Sequence, residues 1–254
     1  MRNLFAWAAA AAAVATVGLC STPAEAQWGT LKGQVTVTGD FAPLKLLVMK
    51  DDKAAKDAAV CAAADVPNES VVIDPATKGL ANVVVWIGEK PSKIHPDLLK
   101  PAKPEIDFDQ KGCRFLPHIL LVRTDQKVRV MSDDSVAHNT HTWPRANKQV
   151  NFIVGANDRA GVVVKEVSTK EKTPTKITCD IHSWMEAYWV ILDHPYAAVS
   201  NAKGEFEIAN LPVGVHEIKV WQETSGWLIK SKMITIKEGN NALDPIKVDP
   251  AAFK

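Results

Sequence analysis

Short apolar runs alternate with polar turns along most of the chain. The runs are rich in Val, Ile and Thr and are bounded by Gly, Pro, Asn and Asp, which is typical of β-strands. They predict strands at residues 31–37, 81–87, 115–123, 127–131, 162–167, 188–192, 204–208, 215–221 and 233–236. The sequence therefore predicts a mainly β protein with sandwich architecture.

Two stretches depart from this pattern. Residues 51–64 are rich in Ala, with Lys and Asp interspersed, and predict the one short helix. Several prolines fall within residues 91–104 and predict an irregular excursion at the surface.

The N-terminus has the composition of a secretory signal peptide. Arg2 precedes an apolar run at residues 4–19, and Ala24-Glu25-Ala26 forms a small-x-small cleavage pattern before Gln27. The run is shorter than the roughly 20 residues that a spanning helix needs, so a retained anchor is the weaker interpretation. A lipoprotein at Cys20 is also disfavoured, because Leu19 stands where a small residue is required. We expect cleavage near Ala26 and a periplasmic or secreted protein without membrane insertion.

A possible metal site stands out in the second half of the chain. Cys179, His182 and Met185 lie within seven residues, and His138 opens the sequence His-Asn-Thr-His some forty residues upstream. One thiolate and two imidazoles form a trigonal plane that suits both Cu(I) and Cu(II), while a thioether supplies a weak axial contact. These residue types predict one copper ion and electron transfer.

The cysteine count agrees with this interpretation. Cys61, Cys113 and Cys179 would remain after export, and an odd number in an oxidising compartment leaves one thiol unpaired. If a metal holds Cys179, Cys61 and Cys113 can form a disulfide. The balance of 30 Lys and Arg against 29 Asp and Glu does not favour nucleic acid as a partner.

Residues 115–139 read FLPHILLVRTDQKVRVMSDDSVAHN and resemble the strand, turn, strand and His-Asn pattern of cupredoxins. The spacing of both candidate ligand loops resembles amicyanin-type members of that family. The resemblance implies a cupredoxin Greek-key sandwich at residues 108–196, with copper ligands His138, Cys179, His182 and Met185. It also implies that Asn139 tethers the two ligand loops.

The flanking geometry adds residues near the site. A hairpin with its turn at residues 124–126 would return Phe115, Pro117 and His118 to the rim where His138 emerges. His118 is then either a hydrogen-bonded partner at the rim or a further ligand, which would give red or green copper.

Two more side chains lie close to the predicted ligands. Trp184 stands inside the ligand loop, where the family commonly has Pro or small residues, and it lies beside the expected electron port. His141 is interpreted as structural or facing solvent. The acidic pair Asp133-Asp134 is interpreted as a solvated turn.

Two distant segments resemble halves of one module. Gly33-Gln34-Val35 in the first, and the runs 201–206 and 211–214 in the second, resemble the turns and core positions of a carboxypeptidase regulatory-like, prealbumin-type β-sandwich. The resemblance implies a discontinuous sandwich at residues 27–107 plus 197–254, into which the cupredoxin domain is inserted. The whole chain resembles exported methylamine-utilization or plastocyanin-like proteins.

The main functional hypothesis is an exported electron-transfer protein with a type 1-like copper site. Its electron would leave through a solvent-facing edge of His182 toward redox proteins, for example a cytochrome c or a dehydrogenase. The alternatives are a non-redox binding or structural module of the cell envelope with a stabilising or vestigial metal site, and a copper carrier. Zinc also suits thiolate and imidazole ligands. An enzyme is not expected, because four protein donors leave no open position for substrate.

Overall fold

The computed structural model describes residues 27–253, and the predicted signal peptide lies outside them. The strands are β1 Trp28–Val37, β2 Val84–Ile87, β3 Glu105–Gln110, β4 Phe115–Leu116, β5 Ile119–Arg123, β6 Lys127–Ser132, β7 His138–Trp143, β8 Asn151–Val154, β9 Val162–Val164, β10 Thr175–Thr178, β11 Glu186–Leu192, β12 Ala197–Val199, β13 Glu205–Pro212, β14 Gly214–Gln222, β15 Gly226–Ile236, β16 Gly239–Ala242 and β17 Ile246–Val248. The helices are α1 Ala58–Cys61 and short 3-10 turns at Pro96–Leu98 and Pro250–Phe253. The prediction of a mainly β protein is confirmed.

The strands form four sheets that pack as two pairs. In one pair, β13-β1-β16 with β17 faces β12-β2-β14-β15 across a core that includes Val35, Val85 and Ile218. In the other pair, β5-β11-β10-β7-β8 faces β4-β3-β6-β9 across a core that includes Phe108 and Trp189. The candidate ligand loop, residues 179–185, connects β10 to β11 in this second pair.

A third apolar layer joins the two pairs. In β2, Val85 and Ile87 face the first core, while Val84 and Trp86 pack with Ile119 of β5 in the shared layer. Successive side chains of a strand point to opposite faces, so β2 is buried on both sides and reads as a continuous apolar run. The shared layer fixes the candidate metal side of the molecule against the other sheet pair.

The prediction of one short helix is confirmed by α1, but its bounds of 51–64 are wrong, since α1 covers only four residues. Asp51 and Asp57 have left-handed backbone conformations, with φ of 62° and 53°, which interrupt a helix. The Asp52 carboxylate also accepts a hydrogen bond from the Ala54 amide at 2.9 Å, an alternative to helical pairing. Ala-rich composition was therefore outweighed by Asp residues that favour turns.

The expected hairpin around residues 124–126 is also wrong. β5 pairs with β11, whereas β6 pairs with β3 and β9 in the opposite sheet. The predicted strand at 115–123 is divided in the same way, because β4 pairs with β3 and Pro117 separates it from β5. The chain thus crosses between sheets where the sequence suggested continuous pairing.

The division into residues 27–107 plus 197–254 and residues 108–196 stays a prediction. Its first boundary falls inside β3. Among the described residues, no helix has both the length and the apolar character to cross a membrane.

Candidate metal centre

Strand register brings His138 to the Cys179–Met185 loop. β7 and β10 pair antiparallel, with His141 opposite Thr178, so the chain beyond Thr178 runs alongside the start of β7. The loop closes on itself, because the Cys179 amide donates to the Met185 carbonyl at 3.2 Å and the Met185 amide donates to the His182 carbonyl at 2.9 Å. A short hairpin loop therefore places Cys179 and His182 against the first residue of β7.

Three donor atoms converge at this point. His138, Cys179 and His182 each offer one candidate ligand atom, and these atoms all lie within 4.8 Å of one another. The two Nδ1 atoms are 3.0 Å apart, and Nδ1 of His182 is 3.8 Å from Sγ of Cys179. All three side chains are buried. A thiolate and two imidazole nitrogens at such separations fit a single soft or borderline metal ion.

Met185 is buried in the same apolar cluster as Cys179. Its assignment as the axial ligand stays a prediction. A second group of potential ligands, Cys113, Asp134 and His138, also lies close together. Because Cys113 is bonded to Cys61, it has no free thiolate to offer a metal.

Each imidazole is oriented by a carboxylate on its far side. Nε2 of His138 is 2.8 Å from Oδ2 of Asp134, and Nε2 of His182 is 2.9 Å from Oδ2 of Asp57. A proton on Nε2 directs the lone pair of Nδ1 toward the cluster, as in the carboxylate–histidine–metal arrangements of known sites. The two Nδ1 atoms lie 3.0 Å apart and can share one cation, which is a proton in the metal-free protein or a metal ion in its place.

The charges around the two histidines differ. Burial disfavours the charged form of His138, but hydrogen bonds to Asp134 and Cys179 outweigh it and raise its pKa to about 9. Burial lowers the pKa of His182, and the nearby charge of His138 adds to this, although Asp57 opposes it. The neutral form required of a metal ligand is therefore favoured for His182.

The environment of Cys179 favours the thiolate. Burial alone would raise its pKa, but hydrogen bonds from His138 and from the backbone amides of Asn139, His182 and Ile181 lower it. The His182 amide donates to Sγ at 3.4 Å. The thiolate is the form that binds metals.

Asn139 connects the two loops as the resemblance implied. Its Oδ1 accepts the amide protons of Asp180 at 2.6 Å and Ile181 at 3.3 Å, and its Nδ2 donates to Asp180 and to Asn151. These bonds fix the ligand loop relative to β7. His141 lies beside Asp180 at 3.1 Å and stacks on Trp143; its side chain is largely covered, and it lies outside the donor cluster.

His118 lies away from the donor cluster. It forms a buried ion pair with Glu223, which lies in the turn after β14 of the other sheet pair. Burial opposes protonation of His118, but Glu223 outweighs it and raises the pKa. Neither group of potential ligands in the described residues includes His118, which supports the interpretation of a hydrogen-bonded partner and not of a ligand.

Asp134 and Asp57 are the site residues that sequence reasoning missed. The solvated-turn interpretation suits Asp133, whose carboxylate is 41 % exposed and pairs with Lys111 at 2.8 Å. It is wrong for Asp134, which is buried and also accepts the amides of Gly112 and Cys113. Its position four residues before His138 was the available signal. Asp57 is 125 residues from His182 in sequence, so no local pattern indicated that the two side chains meet.

The expectation of a solvent-facing His182 is wrong. The His182 side chain is 0 % exposed, with Asp57 against its Nε2. Trp184, which the sequence placed beside an open port, instead packs against Val48, Ala62 and Val66 of the helical segment. The Cys61–Cys113 disulfide joins that segment to the connection between β3 and β4, with a Cα–Cα separation of 5.2 Å.

No family model matches the chain, and no curated protein matches it. Parts of the chain match solved cupredoxin-type structures at low similarity. A copper-containing nitrite reductase from Thermus scotoductus SA-01 has 13 % identity and a TM-score of 0.31, and the match covers 40 % of this chain and 25 % of that one. A purple cupredoxin from Nitrosopumilus maritimus has 16 % identity and a TM-score of 0.28, over 34 % of this chain and 98 % of that one. Amicyanin from Paracoccus versutus has 11 % identity and a TM-score of 0.29, over 42 % of this chain and 96 % of that one.

The chain spans about a quarter of the nitrite reductase and nearly all of the small cupredoxins that it matches. The expectation that the protein is not an enzyme is withdrawn, since an enzyme is among the matched structures. The reasoning from four protein donors described one site and excluded nothing elsewhere in the chain.

Proposed function

We propose that this chain is an exported copper protein that transfers electrons through one mononuclear, type 1-like site. The observation that carries the proposal is the buried convergence of His138, Cys179 and His182, with candidate ligand atoms within 4.8 Å of one another. We assign Met185 as the axial ligand from the loop spacing. Copper held there would exchange one electron between Cu(I) and Cu(II).

The protein's own residues keep the pocket rigid and dry. Asp134 and Asp57 fix the two imidazoles, and Asn139 fixes the ligand loop against β7. A pocket whose donors are held in place by such bonds changes little between the two oxidation states. Burial of all three donors disfavours the copper-carrier alternative, because a carrier has to release its ion.

The redox partners in this proposal are a protein donor and a protein acceptor, such as a cytochrome c or a dehydrogenase, in the periplasm or outside the cell. The other sheet pair would be the carboxypeptidase regulatory-like sandwich. Supporting that assignment, β1 pairs with β13, and Gly204, at a φ of 76°, accepts the Val35 amide at 2.8 Å.

The test is visible absorption and EPR of the copper-loaded protein, together with voltammetry. We expect an intense thiolate-to-copper band and a one-electron couple, both lost in Cys179→Ser. His141→Gln serves as the matched control, because His141 is close to the site but outside the donor cluster. A copper-loaded protein with neither the band nor the couple would refute the proposal. A band that survives in Cys179→Ser would refute the ligand assignment.

A further inference from the structure

The segment that covers His182 is folded on itself as a compact unit. Residues 47–66, here called the cap, are closed by hydrogen bonds at their two ends. The Leu47 amide donates to the Val66 carbonyl at 2.9 Å, and the Val66 amide donates to the Val48 carbonyl at 2.8 Å. The Asp51 amide donates to the Ala62 carbonyl at 2.8 Å. The cap therefore has a defined shape and does not depend on a long helix.

Asp57 occupies an unusual position in the cap. It precedes α1, where an Asp side chain commonly accepts an amide of the first helical turn. Its carboxylate makes no such capping bond, and its backbone is left-handed with a φ of 53°. Its Oδ2 lies instead 2.9 Å from Nε2 of His182. An unfavourable backbone conformation and an unused capping position are both consistent with a carboxylate placed for His182.

Three further attachments hold the cap over the ligand loop. Trp184, from the loop itself, packs into the small apolar cluster of the cap formed with Val48, Ala62 and Val66. Its Nε1 donates to the Cys113 carbonyl at 3.2 Å, next to the disulfide that joins Cys61 of the cap to Cys113. Val60 packs on the core beneath the donor cluster.

We propose that the cap is a fixed cover over the imidazole edge of His182 and that Asp57 is a positioning residue for that imidazole. This inference rests on the proposed function for its meaning. With the cap closed, a redox partner cannot touch the His182 ring, so the electron must pass through the cap or through another face of the site. Cys179 is buried in the same loop that Trp184 anchors to the cap, so we expect the closed cap to keep small reagents from its thiol.

The test uses two matched substitutions in the metal-free protein that begins at Gln27, the expected product of cleavage, because this form lacks Cys20. Asp57→Gly removes the carboxylate, and Gly accepts a positive φ without strain, while the entropy that Gly adds to the unfolded chain is matched in the control. Asp51→Gly is the control, because Asp51 lies in the same cap with a φ of 62° and an exposed side chain. The readout is the rate at which iodoacetamide alkylates Cys179, the only free cysteine of the described chain.

We expect Asp57→Gly to raise the alkylation rate by about tenfold, which corresponds to the loss of one hydrogen bond to a charged group. Asp51→Gly should stay within about twofold of the unsubstituted protein. Asp57→Asn keeps an acceptor for the Nε2 proton and should restore most of the protection. Equal rates in Asp57→Gly and Asp51→Gly would overturn the proposal, whether both rise or neither does.

Two measurements separate this inference from other causes. Urea unfolding of each variant gives the alkylation rate expected from global unfolding alone. If global unfolding fully accounts for the alkylation rate of Asp57→Gly, the proposed role of the cap is overturned. In the copper-loaded protein, Asp57→Gly should shift the redox couple while Asp51→Gly leaves it unchanged. If the unsubstituted protein binds no copper, the proposed function fails, while the alkylation contrast still tests the cap.

Discussion

The two histidines of the candidate centre are supported in opposite ways. His138 begins β7, and its carboxylate partner Asp134 is four residues away on the same loop. His182 receives its partner Asp57 from a cap that is 125 residues distant in sequence and is bonded to the rest of the fold by a disulfide. One half of the site thus forms with its own sheet, while the other half is complete only when a separate segment is in place.

The difference predicts where the site is vulnerable. Local support persists whenever β7 and its preceding loop are formed. Remote support depends on tertiary contacts and on the covalent link, and such segments open at lower free energy than the core of a domain. The predictions below perturb each half in turn.

The largest effect is expected from removal of the disulfide. Replacing Cys61 and Cys113 together by Ala frees a loop that spans 52 residues in sequence. Loop-closure entropy then lowers the free energy of unfolding by about 4 kcal/mol. Urea denaturation measures it, and the His182 side should lose protection from hydrogen exchange before the His138 side does. Simultaneous loss on both sides would contradict the comparison.

A smaller loss is expected from Asp134→Asn, which perturbs the local half. The buried carboxylate accepts from His138 and from two backbone amides, and weakening these bonds should lower the free energy of unfolding by about 2 kcal/mol. Asp133→Asn is the matched control, since its solvent-exposed pair with Lys111 is screened and contributes little. Equal losses in the two variants, measured in urea, would show that Asp134 has no special role.

The third prediction concerns how the two rings titrate without metal. His138, with its pKa raised to about 9, contributes stability that is fully present below pH 6.5, the ordinary value, and is lost as the pH rises through about 9. His182, with its pKa lowered, has the opposite dependence: stability is present above pH 6.5 and falls as the pH decreases through its folded value. NMR titration of the ring protons should show two separate midpoints, one on each side of 6.5. If the two rings titrated at the same pH, the proposed difference between the environments of His138 and His182 would be contradicted.

The smallest effect is expected from His141→Gln. His141 stacks on Trp143, whose side chain lies at the surface and is 50 % exposed, and it is outside the donor cluster. The free energy of unfolding should change by less than about 0.5 kcal/mol. A larger loss of stability, measured in the same urea titration, would show that His141 also supports the ligand loop through Asp180.

The sequence predicted those parts of the molecule that depend on local pattern. Runs such as 188–192 correspond closely to a strand, here β11, because buried β-strands carry dense β-branched and aromatic residues. The spacing of Cys179 and His182 in one loop also fixed their proximity, since few conformations fit a short hairpin loop. His138 was chosen by its residue type as the second imidazole, and the β7–β10 register explains its position.

The predictions that proved wrong concerned features that depend on contacts between residues distant in sequence. A turn at 124–126 indicated that the chain reverses, but it could not indicate whether β5 and β6 share a sheet. Asp57 had no local signal, because its role comes from a contact made only in the folded protein. The exposed edge assumed for His182 failed for the same reason, since the covering segment looked like an ordinary Ala-rich helix.

The apolar layer between the two sheet pairs has a practical consequence for dissecting this protein. Ile119, Val190 and Leu192 lie on the sheet β5-β11-β10-β7-β8, which carries the candidate metal site, but are covered by Val84 and Trp221 of the other pair. Either sheet pair, produced alone, would expose those side chains to water as one contiguous apolar surface, and such surfaces promote aggregation. Recombinant production of either half by itself should therefore begin by replacing that face with polar residues, or it will yield inclusion bodies whatever the quality of the metal pocket.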